Sequence, residues 1–289
     1  MFNWVSAEAA ALLVSLSFAT RNIFIRAGQE YTTPLMSTFA ITLITCVFLV
    51  PLTLSEWSGS LINWMGVFWF TLAGVTAPGV ALLLYFASIR RIGVARASPI
   101  ASIHPLISLI IAVIFLGERP SIPVYFGTIL IVGGIIIVTS EKGHLRWTLK
   151  EISILLLASS LWAISTIFRK LGMNQIPWPS FGGLVITIAA LLTLLPASFF
   201  FSKENRWRIE AAGAPYLLAA GLCLLSGFYF HMFALGAGMV ARVGPLANTS
   251  PILTVFFTAI FLRRLETVTR RLILATIVIL IGVTLITLY

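Results

Sequence analysis

The chain has 289 residues, of which 59% are hydrophobic and 10% charged, and its 19 Lys and Arg against nine acidic residues give a net charge of +10. A soluble domain carries about 25% charge, so this chain has too little polar surface to face water. With a mean hydropathy of +1.04, the positive charge reads as a marker of membrane orientation and not as a nucleic-acid footprint.

Apolar runs that continue without strict alternation predict an all-α integral membrane protein, because lipid requires a backbone satisfied within each segment. Spans of about 20 residues fall at roughly 5–26, 34–54, 65–89, 94–117, 121–139, 151–171, 180–202, 214–236, 241–262 and 268–288, ten in all, with short connections. The first span carries Ser15, Ser17 and Thr20. The third holds Gly74 and the Pro78–Gly79 pair, which predict a kink or hinge, followed by Tyr85 and Phe86. In the fourth, Pro99 and Pro105 flank Ser98, Ser102 and His104. The sixth contributes Ser159, Ser160, Trp162, Ser165 and Thr166. The eighth has Gly221 and Gly227 before Tyr229, Phe230 and His231, and the ninth places Asn248, Thr249 and Ser250 between Pro245 and Pro251. Cys46 and Cys223 lie within apolar spans and read as structural thiols.

The fourth span is written a second time as the ninth. At an offset of 146, Val94, Ala95, Arg96, Pro99, Ala101 and Pro105 meet Val240, Ala241, Arg242, Pro245, Ala247 and Pro251. Ile114, Phe115 and Leu116 likewise meet Ile260, Phe261 and Leu262. After a two-residue gap Glu118 meets Glu266 and Gly134 meets Gly282. The chain is therefore expected to be a duplication, with five spans in residues 1–145 and five in 146–289. A duplicated odd unit re-enters the membrane from the opposite side, so the two copies are expected to be inverted around a central cavity, an arrangement that suits alternating access.

Sorting Lys and Arg by connection leaves only Arg119, Arg169, Lys170 and Arg242 on the side of the termini. The positive-inside bias then predicts both termini outside the cytoplasm. Arg21 and Arg169 are counted here as span-end residues.

Each proline removes a backbone donor and frees a carbonyl near Ala95, Ala101, Ala241 and Ala247. Freed carbonyls beside polar side chains at membrane depth need protein or water to satisfy them, so the fourth and ninth spans are expected to border a wet cavity. Its expected substrate-binding residues are Tyr85, Ser98, Ser102, His104, Trp162, Ser165, Tyr229, His231, Asn248 and Ser250, and the cavity is expected to be lined by the first, third, fourth, sixth, eighth and ninth spans, the first through Ser15, Ser17 and Thr20. The expected kink or hinge positions are Gly74, Pro78, Gly79, Pro99, Pro105, Gly227, Pro245 and Pro251. Trp4, Trp57, Trp64 and Trp178 fit an interfacial belt, whereas Trp162 sits mid-span and offers a flat face to an amphipathic solute. Arg96 and Arg242 are expected at opposite mouths.

There is no Asp, and the nine Glu all fall at or near span ends. Ion-coupled carriers commonly hold a mid-membrane carboxylate, so uniport-like movement is expected, with His104 and His231 as the remaining titratable groups. Paired intramembrane Asp, Walker A, HExxH and CxxC patterns are missing, so neither catalysis, a cofactor nor a metal is expected. A channel or sensor remains open as a different class.

Gly93-Val94-Ala95, Pro99, Pro105 and the FLGE run Phe115–Glu118, followed by a Gly-containing apolar helix, resemble the EamA-type repeat of the drug/metabolite transporter superfamily. The second copy departs from it, ending FLRRLE at Phe261–Glu266 without the glycine before Glu. The resemblance implies a ten-helix exporter of small organic metabolites in the bacterial inner membrane, acting on a small-molecule substrate among membrane lipids, without nucleic acid, as a monomer. Among such exporters the chain is most similar to those of aromatic amino acids, with a broad-specificity drug or metabolite exporter as the alternative.

Overall fold

Helix is the dominant regular structure of the computed structural model, as a chain that must satisfy its own backbone in lipid requires. The structure describes residues 6–56, 62–92, 101, 104–139, 149–200, 207–261 and 270–288. In chain order the helices are α1 (Ala7–Gly28), α2 (Pro34–Glu56), α3 (Trp64–Gly74), α4 (Ala81–Ile92), α5 (His104–Phe115) and α6 (Ile122–Thr139). They continue with α7 (Leu149–Gln175), α8 (Pro179–Ala197), α9 (Ala214–Ala237), α10 (Val240–Ala247), α11 (Ser250–Phe261) and α12 (Arg270–Leu288). One isolated antiparallel bridge joins Thr32 to Ile209. Among the described residues six segments are long and apolar enough to cross a membrane: α1, α2, the α3–α4 unit Trp64–Arg91, Ser153–Gln175, α8 and Ala211–Ala237. Leu106–Phe115, Ile122–Gly134 and Ile277–Ile286 form shorter apolar helices.

Several hydroxyls inside these helices are satisfied locally. Thr38, Thr42 and Thr45 on α2 each donate to the carbonyl four residues back, at 2.7–2.8 Å, so they sit in apolar surroundings without an orphaned donor. Thr45 Oγ1 also lies 3.1 Å from the Gly221 carbonyl on α9. That close approach depends on a glycine, since a Cβ at 221 would stand 2.7 Å from Ile44. Between helices, aromatic rings fill notches left by small residues. Phe70 on α3 is fully buried where a Cβ at Gly172 or Gly182 would lie 2.3 or 2.8 Å from its ring. Lipid tails are as apolar as these side chains, so this fit, and not water exclusion, holds the bundle. Helices α6 and α12 pack the same way: a Cβ at Gly127 would lie 2.8 Å from the Gly282 carbonyl, and one at Gly134 would lie 2.5 Å from Ile279. Cys46 and Cys223 are free and half-buried.

Two of the expected spans, each carrying expected kink positions, are interrupted within their length. The third span bends where Ala77 takes an extended conformation, φ −156° and ψ 123°, between α3 and α4, beside Pro78, which has no amide proton to donate. The ninth, expected as one run over 241–262, parts into α10 and α11 at Asn248 (φ −89°, ψ 14°). Pro251 cannot donate to the carbonyl four residues before it, and the amides of Asn248 and Thr249 turn back to Pro245 and Leu246 at 3.2 Å. The matching segment around Pro99, Ser98 and Ser102 lies outside the described residues.

The FLGE run has a visible physical purpose. Gly117 adopts φ +65°, a left-handed turn that glycine accepts without a Cβ penalty. The turn delivers the Glu118 carboxylate to the start of α10, where its two oxygens accept from the amides of Val240 and Ala241, each at 3.0 Å. A carboxylate there answers both the orphaned donors and the positive end of the helix. Glu118→Ala is expected to lower stability by about 0.5–2 kcal/mol, read as a lower thermal midpoint in detergent. Glu118→Gln, which keeps one acceptor oxygen, should lose less; an unchanged midpoint in Glu118→Ala would remove this role.

Candidate functional site: a cationic cavity between the helices

The break at Ala77 turns a backbone carbonyl inward, and α7 fills the gap. Ser165 Oγ stands 3.0 Å from the carbonyls of both Ala73 and Ala77. Arg169 Nη2 donates to the Ala77 carbonyl at 2.8 Å. Its Nη1 donates to Nδ1 of His231 on α9 at 3.1 Å, and the guanidinium lies 4.5 Å from the centre of the Phe228 ring. A guanidinium only donates, so His231 Nδ1 accepts and the ring carries its proton on Nε2. Nε of Arg169 is buried without a partner among the described residues.

Helix α1 supplies a second cation through Phe18, Arg21 and Asn22, one face at i, i+3 and i+4. Arg21 directs Nε and Nη2 to a single acceptor, Asn22 Oδ1, at 3.3 and 2.9 Å, and lies 4.7 Å from the Phe18 ring centre and 5.8 Å from that of Phe86. Both arginines are nearly inaccessible from outside, at 6% exposure for Arg21 and 5% for Arg169. Both nevertheless line one cavity of about 870 Å³ of empty space, its open mouth included.

Six of the expected binding residues meet there: Tyr85, His104, Trp162, His231, Asn248 and Ser250. Tyr85 meets Trp162 edge to face, ring centres 5.1 Å apart, and His104 lies 5.8 Å from the same indole. Nδ1 of His104 is 2.9 Å from the Ala101 carbonyl, which only accepts, so that nitrogen carries the proton. Ser165 is not on the wall; it secures the helix break behind it. Tyr229 faces a different, more open hollow, lined also by Glu56, Met173 and Trp178. Its hydroxyl donates to Glu56 at 2.8 Å, and Ser180 donates to the other oxygen of that carboxylate. Ser98 and Ser102 lie outside the described residues.

Of the hinge positions, Pro78 and Pro245 sit within the interrupted helices, and Gly79 closes on the Gly74 carbonyl, 2.8 Å from a Cβ placed there. Gly74 and Gly227 are close-packing points, where a Cβ would lie 2.3 Å from the Ile186 carbonyl and 2.4 Å from the Phe18 ring. Pro105 and Pro251 stand in the first turns of α5 and α11, and Pro99 is outside the described residues.

Two expectations are corrected. Arg21 and Arg169 are not span-end anchors: α1 continues to Gly28 and α7 to Gln175 beyond them, and both guanidiniums are enclosed. Ser15, Ser17 and Thr20 do not line the cavity. Ser15 accepts from Thr249 at 2.8 Å, Ser17 meets Ser226 at 3.1 Å, and Thr20 donates to Leu16, so they tie helices together or satisfy their own. Arg242 approaches Glu8 at 3.8 Å, and Lys170 caps the C-terminal end of α9 through the carbonyls of Leu235 and Gly238, at 2.7 and 2.8 Å.

Comparison with known proteins agrees with this architecture. The chain is 24% identical over 275 residues to an uncharacterized transporter from Archaeoglobus fulgidus, covering 94% of this chain and 95% of that one. Its fold is similar to that of a protein solved by crystallography, with a TM-score of 0.80 over 98% of this chain and 99% of the other; at 16% identity the likeness is one of fold. The EamA-like transporter family model matches twice, over residues 5–140 and 149–288. The chain belongs to the EamA-like transporter family.

Proposed function

We infer that this membrane transporter exports small amphipathic metabolites from the bacterial cytoplasm through the central cavity, with aromatic or hydrophobic amino acids as the class nearest its resemblance. The observation that carries the reading is the cavity itself. Aromatic faces of Phe18, Tyr85, Trp162 and Phe228 stand beside the polar groups of Arg21, Arg169, Asn248 and Ser250 around one cavity, the pairing an amphipathic solute requires. Residues 1–145 and 146–289 act as two inverted five-helix units, ten spans in all, whose relative rocking exposes the cavity to each side in turn. The sequence repeat at 94–116 and 240–262 supports that division. Both termini face away from the cytoplasm, a monomer suffices because duplication supplies both halves, and movement is uniport-like.

Efflux from proteoliposomes preloaded with a panel of amino acids and cationic dyes tests this. Trp162→Ala is expected to reduce flux of the aromatic solutes about 10-fold or more, since one ring–ring contact and its buried area are worth ~1–3 kcal/mol. Its elution as a monodisperse peak shows that the fold survives. Flux of every panel member at the rate of empty liposomes would reject transport through this cavity.

A further inference from the structure

We propose that the central cavity selects a net-anionic solute, an aromatic or apolar body bearing a carboxylate or phosphate oxyanion that Arg21 and Arg169 receive. This rests on reading the cavity as the transport route and specifies which members of the amphipathic class fit it.

Every group that holds the two guanidiniums is neutral. Arg21 has the Asn22 amide oxygen and two phenyl faces, and its Nη1 has no hydrogen-bond partner among the described residues. Arg169 has a backbone carbonyl, a neutral imidazole and one phenyl face, with Nε unpartnered. No acidic side chain is among the described residues lining the cavity. The glutamates whose side chains are described are engaged or placed elsewhere: Glu8 near Arg242, Glu56 with Tyr229 and Ser180, Glu118 at the start of α10, Glu210 with Arg208, and Glu30 exposed at the end of α1. Glu151 stands in the first turn of α7, about five turns before Arg169.

Two enclosed cations without a counter-charge among the described residues are costly in a low-dielectric interior, and a charge inside a membrane-spanning bundle marks a functional site. The remaining wall adds donors. His231 carries its proton on Nε2, and Ser108, at 1% exposure, has a hydroxyl with no partner among the described residues. A wall with surplus donors and two positive charges complements a group that only accepts, and a guanidinium fork matches the oxygen pair of a carboxylate or phosphate. A zwitterion would satisfy the arginines with its carboxylate but would set its ammonium among like charges with no carboxylate to meet it.

The test ranks ligands of one ring size on the full-length purified protein, by thermal stabilisation and titration: 3-phenylpropionate, phenyl phosphate, phenylalanine and phenethylamine. The expected result is that one or both anions bind at least ~10-fold more tightly than phenylalanine, and phenethylamine least, the ratio one charge-assisted contact supplies. Which anion leads says which oxyanion the site takes. Arg21→Gln and Arg169→Gln should each remove that preference, and Arg169→Lys should retain part of it. The wild-type ranking needs no variant to fold. Phenylalanine or phenethylamine binding as tightly as the anions, or neither anion binding, overturns the proposal. The same four compounds loaded in proteoliposomes separate it from the transport reading. Anion-selective binding without flux rejects transport and leaves the anion site standing, whereas phenylalanine efflux without anion efflux rejects the anion site and leaves transport standing.

Discussion

Arg169→Gln is expected to abolish most flux through the cavity, by about 10- to 100-fold, while the protein still inserts in the membrane. The side chain holds three groups on two neighbouring elements. It holds the Ala77 carbonyl at the α3–α4 break, the Nδ1 of His231 on α9, and the face of Phe228 one turn earlier on α9. A hydrogen bond to a charged group is worth ~1.5–3 kcal/mol, and leaving a buried carbonyl without its donor costs about 1–3 kcal/mol. Glutamine is shorter and neutral, so it loses the charge and cannot span from Ala77 to His231 together. Ser165 remains 3.0 Å from the Ala77 carbonyl, which limits the damage to the break and keeps the variant foldable. Arg169→Lys keeps the charge but replaces a planar fork with a point donor, and should fall between wild type and Gln. Initial efflux rates in proteoliposomes, normalised to inserted protein, give the measurement. Wild-type rates in Arg169→Gln would remove this side chain from the transport site.

The same arginine shows what a sequence conveys and where it falls silent. The membrane class follows from charge-poor apolar runs, the cavity wall at His104, Asn248 and Ser250 from polar residues set beside prolines, and that at Trp162 and His231 from aromatic and polar residues inside apolar spans. Those signals are chemical and local. Arg21 and Arg169 are as plain in the sequence as Trp162, yet a cation near the end of an apolar run reads equally as a snorkelling anchor. What separates the readings is how far the helix continues, and Asn22–Gly28 and Lys170–Gln175 extend both helices past the charge. The i, i+3, i+4 set of Phe18, Arg21 and Asn22 was the available clue, since it puts the cation on an aromatic face. Tyr229 illustrates the converse. Its neighbour two positions on, His231, turns into the central cavity, while Tyr229 turns to Glu56 at the end of α2. At 100° per residue, two positions along a helix point well apart, so adjacency in a polar cluster did not imply a shared site. The breaks at Ala77 and Asn248 were foreshadowed by Pro78 and Pro251. Which carbonyl would be freed, and that Ser165 and Arg169 would take it, depends on how α7 docks, which no local pattern carries.

Gly74→Val should be the most damaging single change outside the cavity, and Gly133 provides its control. A Cβ at position 74 would stand 2.3 Å from the Ile186 carbonyl oxygen and 2.8 Å from Ala189 Cβ, both on α8. The nearer obstacle is backbone, so no flexible side chain can swing aside and the two helices must part. Overpacking of this kind costs about 1–3 kcal/mol or more. Here the displacement also lands three residues before Ala77, whose carbonyl Ser165 and Arg169 hold. Separation of α3 from α8 therefore pulls on the break and on the guanidinium together, so stability and flux should fall in the same variant. Gly133 on α6 has nothing within 4 Å of a Cβ placed on it, and alanine in a helix is favoured over glycine by about 1 kcal/mol. Gly133→Ala should leave the thermal midpoint in detergent unchanged or raise it by a few degrees, with wild-type flux. A Gly74→Val midpoint equal to that of wild type would mean that α3 and α8 do not approach as closely as this, and that the helix break is not held in place by their contact.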